Sequence, residues 1–134
     1  MHEWALAEAI IDASSQIAEK EGLIEISEVI VKLGELQQIE KDILRFALLH
    51  LRTEKFRKTR FRLETEKAQL KCRACGNSWT FNKKKLGENA SEAIHFVPEI
   101  AHTYVNCPKC CCPDFEILEG RGILIQRVRG VKKS

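Results

Sequence analysis

Two Cys-x-x-Cys pairs, Cys72-Arg73-Ala74-Cys75 and Cys107-Pro108-Lys109-Cys110, carry the clearest chemistry in this chain. Each pair turns two sulfurs toward one point, and four thiolates from two such knuckles make a tetrahedral zinc site. Gly76 after the first pair and Pro108 inside the second suit the tight turns required. One pair alone reads as a redox motif. Two pairs, with no thioredoxin-like βαβ frame around either, read as structural zinc. Four sulfur ligands leave no open position, which argues against a catalytic zinc. Lys71, Arg73 and Lys109 stand beside the ligands, where cations offset the negative charge of a thiolate cluster. Cys110, Cys111 and Cys112 run together; the spacing from Cys107 selects Cys110. Cys111 and Cys112 then read as spare thiols, with alternative ligation and oxidation also open to them.

Met1-His2-Glu3 is the second candidate site. The Met1 amine, the His2 amide nitrogen and the His2 imidazole can chelate one ion in adjoining rings. Such a planar, nitrogen-rich set suits Ni²⁺ or Cu²⁺ rather than tetrahedral Zn²⁺. The bulky second residue should keep Met1 in place, because the aminopeptidase that removes it favours small ones. The plain alternatives are a solvated terminal histidine and, for Glu3, a first-turn acid favoured by the helix dipole. His50 falls late in a predicted helix, where a cation-capable side chain is unremarkable. His95 and His102 fall between the knuckles. Either supplies a further nitrogen if that segment folds back on the amino end; otherwise both are polar contacts.

These groups need elements to position them. Leu6, Ile10, Ala13 and Ile17 predict an amphipathic helix from residue 3 to about 20, stopped near Gly22. Residues 24–36 predict a strand ending or bulging at Gly34. Residues 39–51 predict a second helix with Ile39, Ile43, Phe46 and Ala47 inward. Residues 58–66 alternate as a half-buried strand with Phe61, Leu63 and Thr65 on one side. Trp79 and Phe81 are placed to pack beside the metal, 83–85 and 87–89 read as a polar loop, and 132–134 as a frayed tail. Residues 115–118 and 123–125 read as strands whose partners precede the cysteines. The chain is therefore expected to be α+β: two helices packed on a small mixed sheet, with an inserted zinc-ribbon-like domain. Residues 1–67 and 115–134 form the discontinuous α+β domain, and 68–114 the zinc domain.

Composition bounds the function. The chain has 134 residues, 44% of them hydrophobic, and a net charge of +3. No apolar run approaches the roughly 20 residues that cross a bilayer, and the start lacks a signal-peptide pattern. Six cysteines in such a chain point to metal and free thiols in the cytoplasm rather than disulfides. The mild charge neither demands nor excludes nucleic acid.

The paired knuckles, the Met1-His2-Glu3 start, the amphipathic first helix and Leu33-Gly34-Glu35-Leu36 occur together. Jointly they resemble the HypA/HybF family of nickel metallochaperones, over essentially the whole chain. The long segment between the knuckles, with His95-Phe96-Val97-Pro98-Glu99, is similar to archaeal members. The resemblance implies transferable nickel at Met1 and His2 with Glu3 beside them, and His95 completing a planar site. It implies structural zinc at Cys72, Cys75, Cys107 and Cys110. It also implies a HypB-type nucleotide-hydrolysing maturation factor as partner and the [NiFe]-hydrogenase large subunit as recipient. Cys111 and Cys112 depart from the family, where Gly and a small polar residue are usual.

The competing reading is a zinc ribbon that binds nucleic acid. Lys55-Phe56-Arg57-Lys58-Thr59-Arg60-Phe61-Arg62 combines a basic run with two aromatics suited to phosphates and bases. It ranks second, because acidic residues elsewhere nearly balance the run. An enzyme ranks third: no glycine-rich phosphate loop and no nucleophile–base arrangement is evident. A pure interaction adaptor is compatible with the carrier reading. No membrane partner is expected.

Overall fold

The computed structural model describes residues 2–81, 90, 93, 94, 97 and 101–132, and of His2, Thr103 and Tyr104 the backbone alone. The polar loop expected at 83–85 and 87–89 and the last two residues of the expected tail lie outside the described residues. In chain order the elements are α1 (His2–Lys20), β1 (Leu23–Gly34), α2 (Lys41–Leu51), β2 (Arg60–Glu66), β3 (Gln69–Cys72), β4 (Ser78–Thr80), α3 (Ala101–Tyr104), β5 (Phe115–Glu119) and β6 (Ile123–Lys132). They form two compact units. One comprises Met1–Lys32, Ile39–Glu64 and Ile123–Ser134; the other comprises Leu33–Gln38 and Thr65–Gly122. The cysteine-bearing unit is thus inserted between β2 and β6.

The first unit is built on a three-stranded sheet in the order β2-β1-β6. Thr59 Oγ1 donates to Ile26 O at 2.6 Å, and Lys32 pairs with Glu64 at 2.6 Å. Residue numbers rise together along β1 and β2, so these strands are parallel. Parallel neighbours need a crossover, which α2 and the 3-10 turn Glu54–Phe56 supply. Ser27 Oγ donates to Arg129 O, and further along Gly34 N–H donates to Gly122 O at 2.8 Å. β6 therefore runs antiparallel to β1, and the sheet is mixed. Helix α1 packs on α2 and on β6, while Phe56 and Phe61 stack at 6.0 Å, both buried. The two aromatics of the basic run are therefore core residues and not a platform for bases.

Two helical faces differ from expectation. In α1 the buried residues are Glu3, Ala7, Ile10, Ile11, Ser14 and Ala18, while Leu6 and Ala13 are only partly covered and Ile17 is 38% exposed. The buried stripe is shifted by one position. It contains small and polar side chains, so the larger apolar residues at its margin mislead a reading by hydrophobicity. In α2 the buried set is Leu44, Ala47 and Leu48, whereas Ile43 and Phe46 are 44% and 58% exposed. This helix is apolar on two faces, and periodicity cannot choose between them. Trp4 meets Phe46 edge-on at 6.0 Å on the open face. In β2 the alternation buries Phe61 and Leu63, but Thr65 is exposed.

The second unit holds the antiparallel sheet β4-β3-β5. Leu70 faces Trp79 on one side and Ile117 on the other, and Cys72 faces Phe115. Leu36, Ala68, Leu70, Phe81, Ile94, Ala101 and Phe115 are its buried core. Trp79 lies edge-on to Phe115 at 5.6 Å. β1 ends at Gly34, and a 3-10 turn, Glu35–Gln37, replaces the expected strand end. The Leu33-Gly34-Glu35-Leu36 motif has a physical reason here. A Cβ on Gly34 would lie 2.5 Å from Gly120 O. Glu35 Oε1 accepts the Ala68 N–H at 2.9 Å, and Leu36 fills the core.

Candidate metal centre

Short backbone turns bring four sulfurs together. Cys72 ends β3, and the chain turns back at Gly76, whose N–H donates to Cys72 O at 3.0 Å. The Cys72 N–H donates to Asn77 O at 2.8 Å. The second knuckle repeats both bonds: Cys111 N–H to Cys107 O at 2.8 Å, and Cys107 N–H to Cys112 O at 2.9 Å. Gly76 and Cys111 therefore occupy equivalent positions, with φ of 77° and 64°.

The sulfurs of Cys72, Cys75, Cys107 and Cys110 all lie within 4.8 Å of one another. Cys72 Sγ is 3.5 Å from Cys110 Sγ, and Cys75 Sγ is 3.7 Å from Cys107 Sγ. A tetrahedron with metal–sulfur bonds of about 2.3 Å separates its sulfurs by about 3.8 Å, so the donor set fits zinc. Cys111 and Cys112 are not among the four. Cys112 Sγ instead accepts the Asp114 N–H at 3.4 Å.

The main chain readies these sulfurs for a cation. The Cys75 N–H, 3.5 Å from Cys72 Sγ, holds the Cys72 thiol below its ordinary value. Burial pushes the Cys107 thiol up, but the N–H groups of Cys110 and Lys109 outweigh it and bring it down to about 6. The Asn77 amide also donates to Cys107 Sγ at 3.7 Å. At Cys110 the Cys112 N–H favours the thiolate, yet hydrogen bonding with Cys72, burial, and contacts with Cys75 and Cys107 push it up to about 12. One proton is thus kept within a cluster that already holds thiolate character. Arg73, expected to offset this charge, pairs with Asp114 at 3.1 Å. Asn77 was not singled out by spacing; an amide just past a Cys-x-x-Cys-Gly turn is the signal that could have found it.

The candidate nickel residues are not assembled on the described residues. Met1 and His95 lie outside them, as does the His2 side chain. Glu3 is buried, and its Oε2 accepts the Glu40 N–H at 3.2 Å just before α2. Burial raises its carboxyl, but that hydrogen bond and others outweigh it and hold it below the ordinary 4.5. His50 lies 5.2 Å from Phe46, ring to ring. His102 stacks on Phe115 at 4.2 Å, and its Nδ1 lies 3.0 Å from Pro113 O. It braces the exit of the second knuckle.

Residues 1–130 match the family described as hydrogenase/urease nickel incorporation, metallochaperone, hypA. The chain belongs to the HypA family. It is 44% identical over 135 residues to hydrogenase maturation factor HypA of Pyrococcus furiosus, covering 96% of this chain and 94% of the relative. It is 40% identical over 128 residues to the factor of the same name from Thermococcus gammatolerans, covering 93% and 92%. The solution structure of the Ni metallochaperone HypA from Helicobacter pylori shares the fold, with a TM-score of 0.64 over 98% of each chain at 18% identity. HypA members are maturation factors for nickel incorporation, and this one carries a four-cysteine metal site of zinc-ribbon type. Among its described residues no helix is long and apolar enough to cross a membrane.

Proposed function

We propose that this HypA-family chain is a nickel carrier for [NiFe]-hydrogenase maturation, with Ni²⁺ as cargo and zinc as resident metal. The Met1 amine and the His2 amide and imidazole nitrogens take the cargo, His95 adds a donor, and Glu3 stands beside them. Cys72, Cys75, Cys107 and Cys110 hold zinc, which keeps its unit folded and does not exchange. Nickel handling belongs to the unit built on α1, α2 and the sheet β2-β1-β6, and zinc holding to the cysteine-bearing unit with the sheet β4-β3-β5. The partners are a HypB-type nucleotide-hydrolysing factor and the hydrogenase large subunit. The protein is not an enzyme. It works in the cytoplasm, where thiols stay reduced.

The match of residues 1–130 to a nickel-incorporation family, beginning at Met1-His2-Glu3, carries this reading. The tether from Glu3 to the Glu40 N–H supports it. It fixes the first turn of α1 against the start of α2. Amine and imidazole nitrogens bind nickel only when deprotonated. Modest acidification or displacement of one donor therefore releases the cargo, while the thiolate site persists.

The test is metal analysis of untagged protein, of His2→Ala, and of a form extended by residues ahead of Met1. All three should retain zinc, and only the first should bind nickel with a planar-site absorption band. Equal nickel capture by the extended form would overturn the reading.

A further inference from the structure

The outer face of the sheet β2-β1-β6 carries charge that the nickel reading does not use. In β2 the buried Phe61 and Leu63 alternate with Arg60, Arg62 and Glu64, which share the opposite face. Two glutamates neutralise part of this face. Glu64 pairs with Lys32 at 2.6 Å and with Arg62 at 2.9 Å. Glu28 lies 3.9 Å from Arg62 and 3.7 Å from Arg129. Lys58 and Arg60 have no acidic partner among the described residues, and the Arg129 side chain is 62% exposed despite its long contact.

These three cations surround a hollow of about 480 Å³, lined also by Ser27, Glu28 and Gly130. Gly130 lines it where β6 passes so close to β1 that a Cβ there would clash with Glu25 O.

We infer that this hollow receives the carboxylate side chains of an acidic peptide segment on a protein partner. Charge complementarity selects the class of occupant. Glu28 lines the hollow and Glu64 pairs with Lys32 and Arg62, so the face presents separated cations, whose spacing discrete carboxylates match more closely than a continuous phosphate backbone does. Phe56 and Phe61 are buried and offer no base-stacking surface. The partner lies across the face and does not add a strand at the β2 edge, because Arg45 covers that edge by donating to Phe61 O at 2.6 Å.

The experiment is fluorescence anisotropy on the full-length protein, with a labelled peptide of alternating glutamate and serine. A glutamine–serine peptide and a single-stranded oligonucleotide of equal length serve as comparisons. The glutamate peptide should bind saturably and more tightly than either. A Lys58→Ala/Arg60→Ala double variant should weaken it by about tenfold, and Arg129→Ala by less because Glu28 already pairs with it. Unchanged zinc content and nickel capture in these variants keep the result separate from the carrier reading. Absence of saturable binding, tighter binding of the oligonucleotide, or indifference to the double variant would each overturn the inference.

Discussion

The two knuckles close with the same pair of backbone hydrogen bonds but with different residues at the turn. The first places Gly76 in the left-handed region, and the second places Cys111 there. The first follows with Asn77, whose amide reaches Cys107 Sγ; the second follows with Cys112, whose sulfur accepts the Asp114 N–H. The main-chain turn fixes which sulfurs converge, and the side chains at the two positions after each Cys-x-x-Cys pair are not among the ligands. This is why a run of three cysteines does not blur the site. Cys110 stands at the spacing from Cys107 that the turn demands, and Cys111 is spent on the turn.

The largest expected effect separates ligands from spare thiols. Cys107→Ser removes a buried thiol brought down to about 6, and with it the most thiolate-like donor of the cluster. That variant should bind no zinc and should lose the ordered second unit, because metal binding and folding are coupled. Cys111→Ser and Cys112→Ser should keep both. Zinc content with far-UV and near-UV dichroism checks this, and loss of zinc in Cys112→Ser would break the equivalence of the knuckles. Zinc uptake at neutral pH should also release fewer than four protons for the four sulfurs, because Cys107 is largely ionised beforehand. Titration in weak buffer measures that number.

Next in size is the core that carries both knuckles. Phe115 is fully buried, touches Trp79 and His102, and faces Cys72 across β3 and β5. Phe115→Ala should cost about 3–5 kcal/mol, read by chemical denaturation of the zinc-loaded protein. A loss below about 1 kcal/mol would show that zinc alone, and not the shared aromatic floor, holds the knuckles together.

A smaller effect extends the comparison to the amino end. Glu3 is held as the thiolates are, by a main-chain N–H directed at an anion. Its carboxyl sits below the ordinary value, so the ionised form is the one the fold prefers. Its stabilisation is therefore complete above pH 4.5 and fades as the pH falls below that value toward the lowered one. Glu3→Ala should cost about 2 kcal/mol near neutrality, and Glu3→Gln should flatten the acid limb of the stability profile. An unchanged acid limb in Glu3→Gln would mean that the tether to Glu40 is not an ionic one.

Local chemistry was legible in the sequence, and the choice of packing partners was not. Cysteine spacing, the helix-stopping Gly22 and the alternation through Phe61 and Leu63 are short-range facts, and the mixed α+β fold with an inserted knuckle unit follows from their order. The buried face of α1 was not legible, because Glu3 and Ser14 lie within it and Ile17 outside it. That of α2 was hidden by apolar residues on two sides. Nor could the sequence reveal that β5 would join the cysteine-bearing sheet while β6 joins β1; neighbouring strands of similar composition carry no label for their partners. The role of Gly34 became clear only once Gly120 lay against it.

The smallest effect tests the turn itself. Cys111 carries a Cβ in the left-handed region, a conformation that costs a non-glycine residue roughly 1 kcal/mol, whereas Gly76 bears no such cost. Its side chain is exposed and joins neither the core nor the four-sulfur group, so little packing is lost by removing it. Cys111→Gly should therefore stabilise the zinc-loaded protein by about 0.5–1 kcal/mol, less the added entropy of glycine in the unfolded chain. The mirror change, Gly76→Cys, should destabilise by a similar amount, because the open space at Gly76 leaves backbone strain as the main cost. Opposite signs of similar size would establish the two turns as interchangeable. Equal signs would assign Cys111 a contact that its sulfur makes only when metal is bound.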